Sequence, residues 1–226
     1  MEKQTLYAKF IYEKQDEKLV NILEEYIEEN AERIFEFFDP SLERKPLEIE
    51  IISTKKEYDE RQKARRKVEE IPNWSVGTYY DNKIEYVSFN DYQNTGHRYT
   101  EENYEDALNH YKKTIIHEFT HYVLKLYIDK YDNNEPLKYL NEGIAQYLSG
   151  QRDNMKLEFN YSLDNILNSK DCYPGWYLMV KYILDEYSRE YFLKLLIHND
   201  LALSETPYLY DEAKEYYEEL KESKAK

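Results

Sequence analysis

Cysteine is nearly absent from this chain of 226 residues. Its single thiol, Cys172, excludes an intramolecular disulfide, and that usage suits a reducing compartment. Glycine and proline are scarce too, at 5 and 6. So few chain breakers leave little room for an all-β fold with many tight turns, and helices are expected to dominate. No run approaches the ~20 consecutive apolar residues of a membrane span. Behind Met1-Glu2-Lys3-Gln4 there is no apolar secretory region. The expectation is therefore a cytoplasmic protein with no membrane partner. Positive charge is the other deficit: 31 Lys and Arg against 46 Asp and Glu give a net charge of −15. Such a field repels polyphosphates, which argues against a nucleic acid partner. The basic run from Lys55 to Lys67 is broken by Glu57, Asp59 and Glu60 and reads as a solvated helix face.

What is present is tyrosine, 26 of them, and two contrasting halves. In the first half, Leu6 to Tyr12 and Leu47 to Ile51 alternate as strands. A helix from Asp16 to Phe38 lies between them, and a second helix is expected from Lys55 to Glu69. Trp74 to Tyr80 and Lys83 to Phe89 flank Asp81-Asn82, a pair suited to a hairpin turn. From Thr100, a candidate N-cap, apolar residues recur at spacings of three and four as far as Leu126. A loop is expected over Asp129 to Pro136, then a helix to about Ser149 that stops at Gly150, then further helices from Pro174. Strands gather early and helices late, which predicts a single α+β domain over residues 1–226. Residues 1–99 would form an α/β subdomain and residues 100–226 a helical one.

The chemistry concentrates in His117-Glu118-Phe119-Thr120-His121, placed inside the long helix. Positions i and i+4 stack on one helix face, so both imidazoles can reach one cation. Glu118 is rotated toward the place of an attacking water. Catalytic zinc usually takes three protein ligands, and Glu142, 21 residues after His121 in Asn141-Glu142-Gly143-Ile144-Ala145, is the candidate third. Gly143 and Ala145 would let the helix carrying Glu142 approach the first closely. His97, His110 and His198 lie outside the motif and are expected in packed or solvent-facing roles. His110 sits two turns before His117 on a shared face, which keeps a substrate role open for it.

HEFTH followed by NEGIA resembles the gluzincin zinc metallopeptidases, the thermolysin and aminopeptidase-like clan, and is closest to peptidase MA-like domains. The order of elements ahead of HEFTH is similar to that family's N-terminal subdomain. The resemblance implies a thermolysin-like zincin, with a small mixed sheet and an edge hairpin over the active-site helix. It implies a zinc peptidase in which His117, His121 and Glu142 hold Zn2+, Glu118 is the general base, and a peptide or protein is the substrate. The strand from Lys83 to Phe89 would be the edge that holds it. Tyr173-Pro174-Gly175-Trp176 looks like the family's tyrosine-led helix, which makes Tyr173 the candidate oxyanion donor and Tyr177 its reserve. Two departures stand out. No glycine lies in a GxMEN segment, so the amine clamp of aminopeptidases is missing and an endopeptidase is implied. Gln146 replaces the carboxylate that orients a zinc-bound histidine, leaving its amide oxygen as the acceptor. The alternative is a zinc-binding, peptidase-like module with little or no turnover.

Overall fold

The computed structural model describes residues 1–131 and 134–224. They form a mixed α+β protein that packs as two compact units. The first comprises Met1–Glu36 and Pro40–Tyr122; the second begins at Val123 and includes Phe37–Asp39. Composition changes at Thr100, but packing divides at Tyr122, inside a helix.

The first unit holds a five-stranded sheet: β1 (Glu2–Gln4), β2 (Ala8–Ile11), β3 (Leu47–Ile52), β4 (Gly77–Tyr80) and β5 (Lys83–Val87), in the order β1-β2-β3-β5-β4. The inner strands β2, β3 and β5 are parallel, and β1 and β4 run antiparallel at the two edges. Helix α1 (Glu17–Phe38) connects β2 to β3; its Leu23, Ile27, Ile34, Phe35 and Phe38 are buried at helical spacing. Helix α2 (Lys55–Arg66) follows β3. Thr54 caps it by accepting from the Glu57 N–H, and Lys67, in the left-handed region at φ 55°, ends it short of the expected Glu69. Asp81 and Asn82, at φ 47° and 59°, form the turn between β4 and β5. Positive φ at both central residues is what a two-residue hairpin demands.

This order corrects one expectation. The strand begun at Lys83 is not an edge: β5 pairs with β3 on one side and with β4 on the other, so β4 is the open strand. Residues 74–76 precede β4 as irregular structure, and Trp74 is 49% exposed.

Helix α3 (Tyr104–Tyr131) starts three residues later than expected, because Glu101–Asn103 form a 3-10 turn first. It continues to Tyr131, so Asp129 is helical; residues 132 and 133 of the expected loop lie outside the described residues.

The second unit is helical: α4 (Lys138–Ser149), α5 (Leu163–Asn168), α6 (Tyr173–Glu186), α7 (Arg189–Ile197) and α8 (Asn199–Lys224). Gly150, at φ 68°, ends α4 as expected. Gly143 serves the approach of α4 to α6. A Cβ there would stand 2.5 Å from the Trp176 carbonyl oxygen and 2.5 Å from a Val180 methyl. Cys172 is buried just before α6. Among the described residues no helix is long and apolar enough to cross a membrane.

Candidate metal centre

Helix α3 presents His117 and His121 one turn apart, and both rings turn the same nitrogen inward. Their Nε2 atoms are 3.1 Å apart and the ring planes meet at 83°. Two nitrogens held at zinc-ligand distance around a tetrahedral ion lie about 3.3 Å from one another. The pair therefore has the bite that such an ion requires. His117, His121 and Glu142 each offer one ligand atom, and these atoms all lie within 4.8 Å of one another. Two imidazoles and a carboxylate make a nitrogen and oxygen donor set that zinc accepts. The residues present fit the ion on donor chemistry and on the bite of the histidine pair.

Glu118 is 9% exposed, and a backbone group holds it: its Oε2 accepts the Tyr79 N–H of β4 at 2.7 Å. That bond holds one carboxylate oxygen, and Oε1 is the other acceptor of the group. Two features bring β4 that close. A Cβ on Gly77 would stand 2.7 Å from the Tyr86 ring and 3.3 Å from Glu118 Cγ, so a larger residue would push the strand away. The fully buried Tyr58 of α2 lies with its hydroxyl 3.0 Å from the Gly77 carbonyl and 2.6 Å from Thr78 Oγ1. Burial pushes the Tyr58 phenol up to about 12, so it stays protonated and able to donate. The edge strand is thus partly spoken for. Tyr79 N–H and Gly77 C=O, two of the groups an added strand would pair with, are held by Glu118 and Tyr58.

In the second unit Gln146 follows Glu142 by one turn of α4. Its Nε2 donates to the Tyr173 carbonyl oxygen at 3.0 Å, which ties the first turn of α6 to the helix carrying Glu142. Its Oε1 accepts from Arg152 Nε at 2.9 Å. The amide oxygen expected to receive a histidine N–H is therefore engaged by an arginine. Tyr173 opens α6 with its ring 5.0 Å from Trp176. Tyr177 is only 4% exposed and packs on Tyr147, and burial raises its phenol to about 12.

The remaining histidines are accounted for by packing and exposure. His97 lies flat on Tyr92 and its Nε2 donates to the Trp74 carbonyl at 2.8 Å; burial lowers the pKa of the ring. His110 Nδ1 is 3.0 Å from the Tyr92 hydroxyl. His198 is exposed at the end of α7. Tyr58, Gly77, Tyr79 and Arg152 were not anticipated. Gly77 alone carried a signal, as one of 5 glycines, placed at the start of a hairpin strand.

Neither a protein-family model, a curated protein nor a solved structure matches the chain.

Proposed function

We propose that the protein is a zinc-dependent peptidase of thermolysin-like, gluzincin type, cutting peptides internally rather than trimming them from the amino end. The observation that carries this reading is the clustering of His117, His121 and Glu142 beside a Glu118 whose carboxylate is already oriented by a backbone N–H. His117 and His121 from α3 and Glu142 from α4 would hold zinc, which when bound polarises the scissile carbonyl and acidifies the attacking water. The protein's own residues do the rest. Glu118, fixed through Oε2, takes the water's proton on Oε1 and passes it to the leaving amine. The Tyr173 hydroxyl donates to the oxygen that gains negative charge. The internal cut rests on the missing amine clamp.

A second reading, a zinc-binding module with little turnover, is favoured by two observations: Arg152 occupies Gln146 Oε1, and Glu118 and Tyr58 occupy part of the β4 edge. One experiment separates the two. Purified protein is expected to hold about one zinc per molecule, lost in His117→Ala and in Glu142→Ala. Glu118→Gln is expected to keep the zinc and lose hydrolysis of an unfolded protein substrate by about 10²- to 10⁴-fold. Full zinc occupancy in both ligand variants would remove the site, and zinc-loaded wild type without chelator-sensitive cleavage would leave the binding module.

A further inference from the structure

Guanidinium groups remain charged in proteins, so a partly buried arginine usually faces a carboxylate. Three arginines in the first unit follow the rule: Arg44 meets Glu32, Arg61 meets Glu50 and Glu57, and Arg65 meets Glu85. Arg152 does not. It is partly buried, and among the described residues its side chain has one hydrogen bond, from Nε to Gln146 Oε1, and no carboxylate partner. Desolvation lowers its pKa from the ordinary arginine value, opposed only by the nearby Tyr161 and Tyr173 phenols. That bond fixes the plane of the guanidinium and leaves the two terminal nitrogens, the end of the fork that grips a carboxylate through parallel N–H bonds.

Its place gives it a purpose. Gln146 stands four residues after Glu142, where helical neighbours have Cβ atoms about 5–6 Å apart, and the same amide holds the Tyr173 carbonyl. Glu142, Gln146, Arg152 and Tyr173 are therefore one connected group. The protein's net charge of −15 repels anions in general, so an acidic ligand must meet a specific cation to stay.

We propose that Arg152 is a carboxylate anchor: it binds a carboxylate of the substrate, from the peptide's C-terminus or from an acidic side chain, and so selects which peptides the site accepts. This rests on the peptidase reading for the identity of the ligand as a peptide.

The test measures binding and needs no turnover. Zinc-loaded Glu118→Gln protein is titrated, by fluorescence polarisation, with four N-terminally labelled heptapeptides. One carries a Glu and a free C-terminus, one is its C-terminal amide, one has Gln for Glu, and one has both changes. The doubly neutral peptide is expected to bind about ten- to a hundredfold more weakly than the first, the worth of a charge-assisted hydrogen bond. Whichever single change causes the loss identifies the carboxylate. Adding Arg152→Gln should abolish the difference, and Arg152→Lys should restore only part of it, because an ammonium lacks the planar fork. Four peptides bound alike, none bound, or discrimination kept by the folded Arg152 variants would overturn the anchor. If Arg152→Gln does not fold, as read by a thermal melt, the Arg152→Lys comparison decides alone. Cleavage by protein with Glu118 intact is scored separately. Turnover without carboxylate discrimination leaves the peptidase and removes the anchor; Arg152-dependent binding without turnover does the reverse.

Discussion

The two units fix their polar side chains by different means. In the first, Glu118 is fixed by a backbone N–H, the strand offering it is fixed by a tyrosine hydroxyl on a backbone carbonyl oxygen, and a glycine brings the two close. In the second, one side chain, Gln146, joins Arg152 to the first turn of α6. Backbone fixing survives most substitutions at the fixing residue, because Tyr79 would donate its N–H whatever its side chain. Fixing by a side chain concentrates the same task in one amide, which a single substitution removes. The first unit should therefore tolerate change at Tyr79 and be sensitive at Gly77 and Tyr58. The second should be sensitive at Gln146 and at the residues it joins.

Three measurements would break or sharpen that contrast. The largest expected effect is on the tyrosine whose backbone Gln146 holds. Removing one oxyanion donor costs about a hundredfold to a thousandfold in rate. Tyr173→Phe is expected to lower kcat by about that factor, with zinc content unchanged and KM altered little. Steady-state kinetics with zinc analysis reads both, and Tyr177→Phe, a buried ring packed on Tyr147, should be mild. Two mild variants would place the donor elsewhere.

Next in size is a stability effect at the α4 glycine. Alanine at Gly143 meets a backbone oxygen at 2.5 Å, which cannot swing aside. Overpacking costs about 1–3 kcal/mol and the gain in helix propensity returns about 1. A net loss of up to about 2 kcal/mol is expected in urea unfolding. Unchanged stability would show that α4 and α6 yield easily, and that the second unit is less tightly fitted than the first.

The smallest concerns Tyr58. Its folded pKa, about 12, lies above the ordinary value near 10. Below pH 10 both states keep the proton and the contribution is constant. As pH rises above 10 the unfolded protein releases it while the fold does not, and stability falls by about 1.4 kcal/mol per pH unit until the folded pKa is reached. Comparing urea unfolding at pH 10 and 11, Tyr58→Phe should lose about 1 kcal/mol less than wild type. Equal losses would mean that the Tyr58 proton is not held by burial.

The histidine pair was legible because its spacing equals the helical period: His117 and His121 needed only a helix, and the periodicity around them supplied one. Glu142 followed from its spacing after His121 and a helix turned back by the loop, and the three candidate donor atoms lie within 4.8 Å of one another. The general class, strands early and helices late, followed from two periodicities. Sheet order did not, because β4 precedes β5 in sequence yet lies outside it. Only the parallel pairing of β5 with β3 reveals that arrangement. β1 escaped notice, since Glu2-Lys3-Gln4 has no apolar alternation and is placed by pairing with β2. The Tyr79 contact was invisible for a related reason: the group that matters is one every residue but proline carries. Arg152 is joined to Gln146 across the end of α4, where no helical spacing points to a pair.

The hydrogen bonds on β4 also bear on how the protein behaves at high concentration. An open sheet edge is a template for pairing with another polypeptide, and proteins that leave one bare tend to self-associate. Here Glu118 and Tyr58 cover part of that template from within the same unit. A substitution at Glu118 would therefore also change the stickiness of the sheet. Glu118→Ala uncovers the Tyr79 N–H, whereas Glu118→Gln keeps a carbonyl oxygen to receive it. The glutamine variant keeps the cover in place, and self-association of the alanine variant would register the loss of a cover rather than damage to the fold.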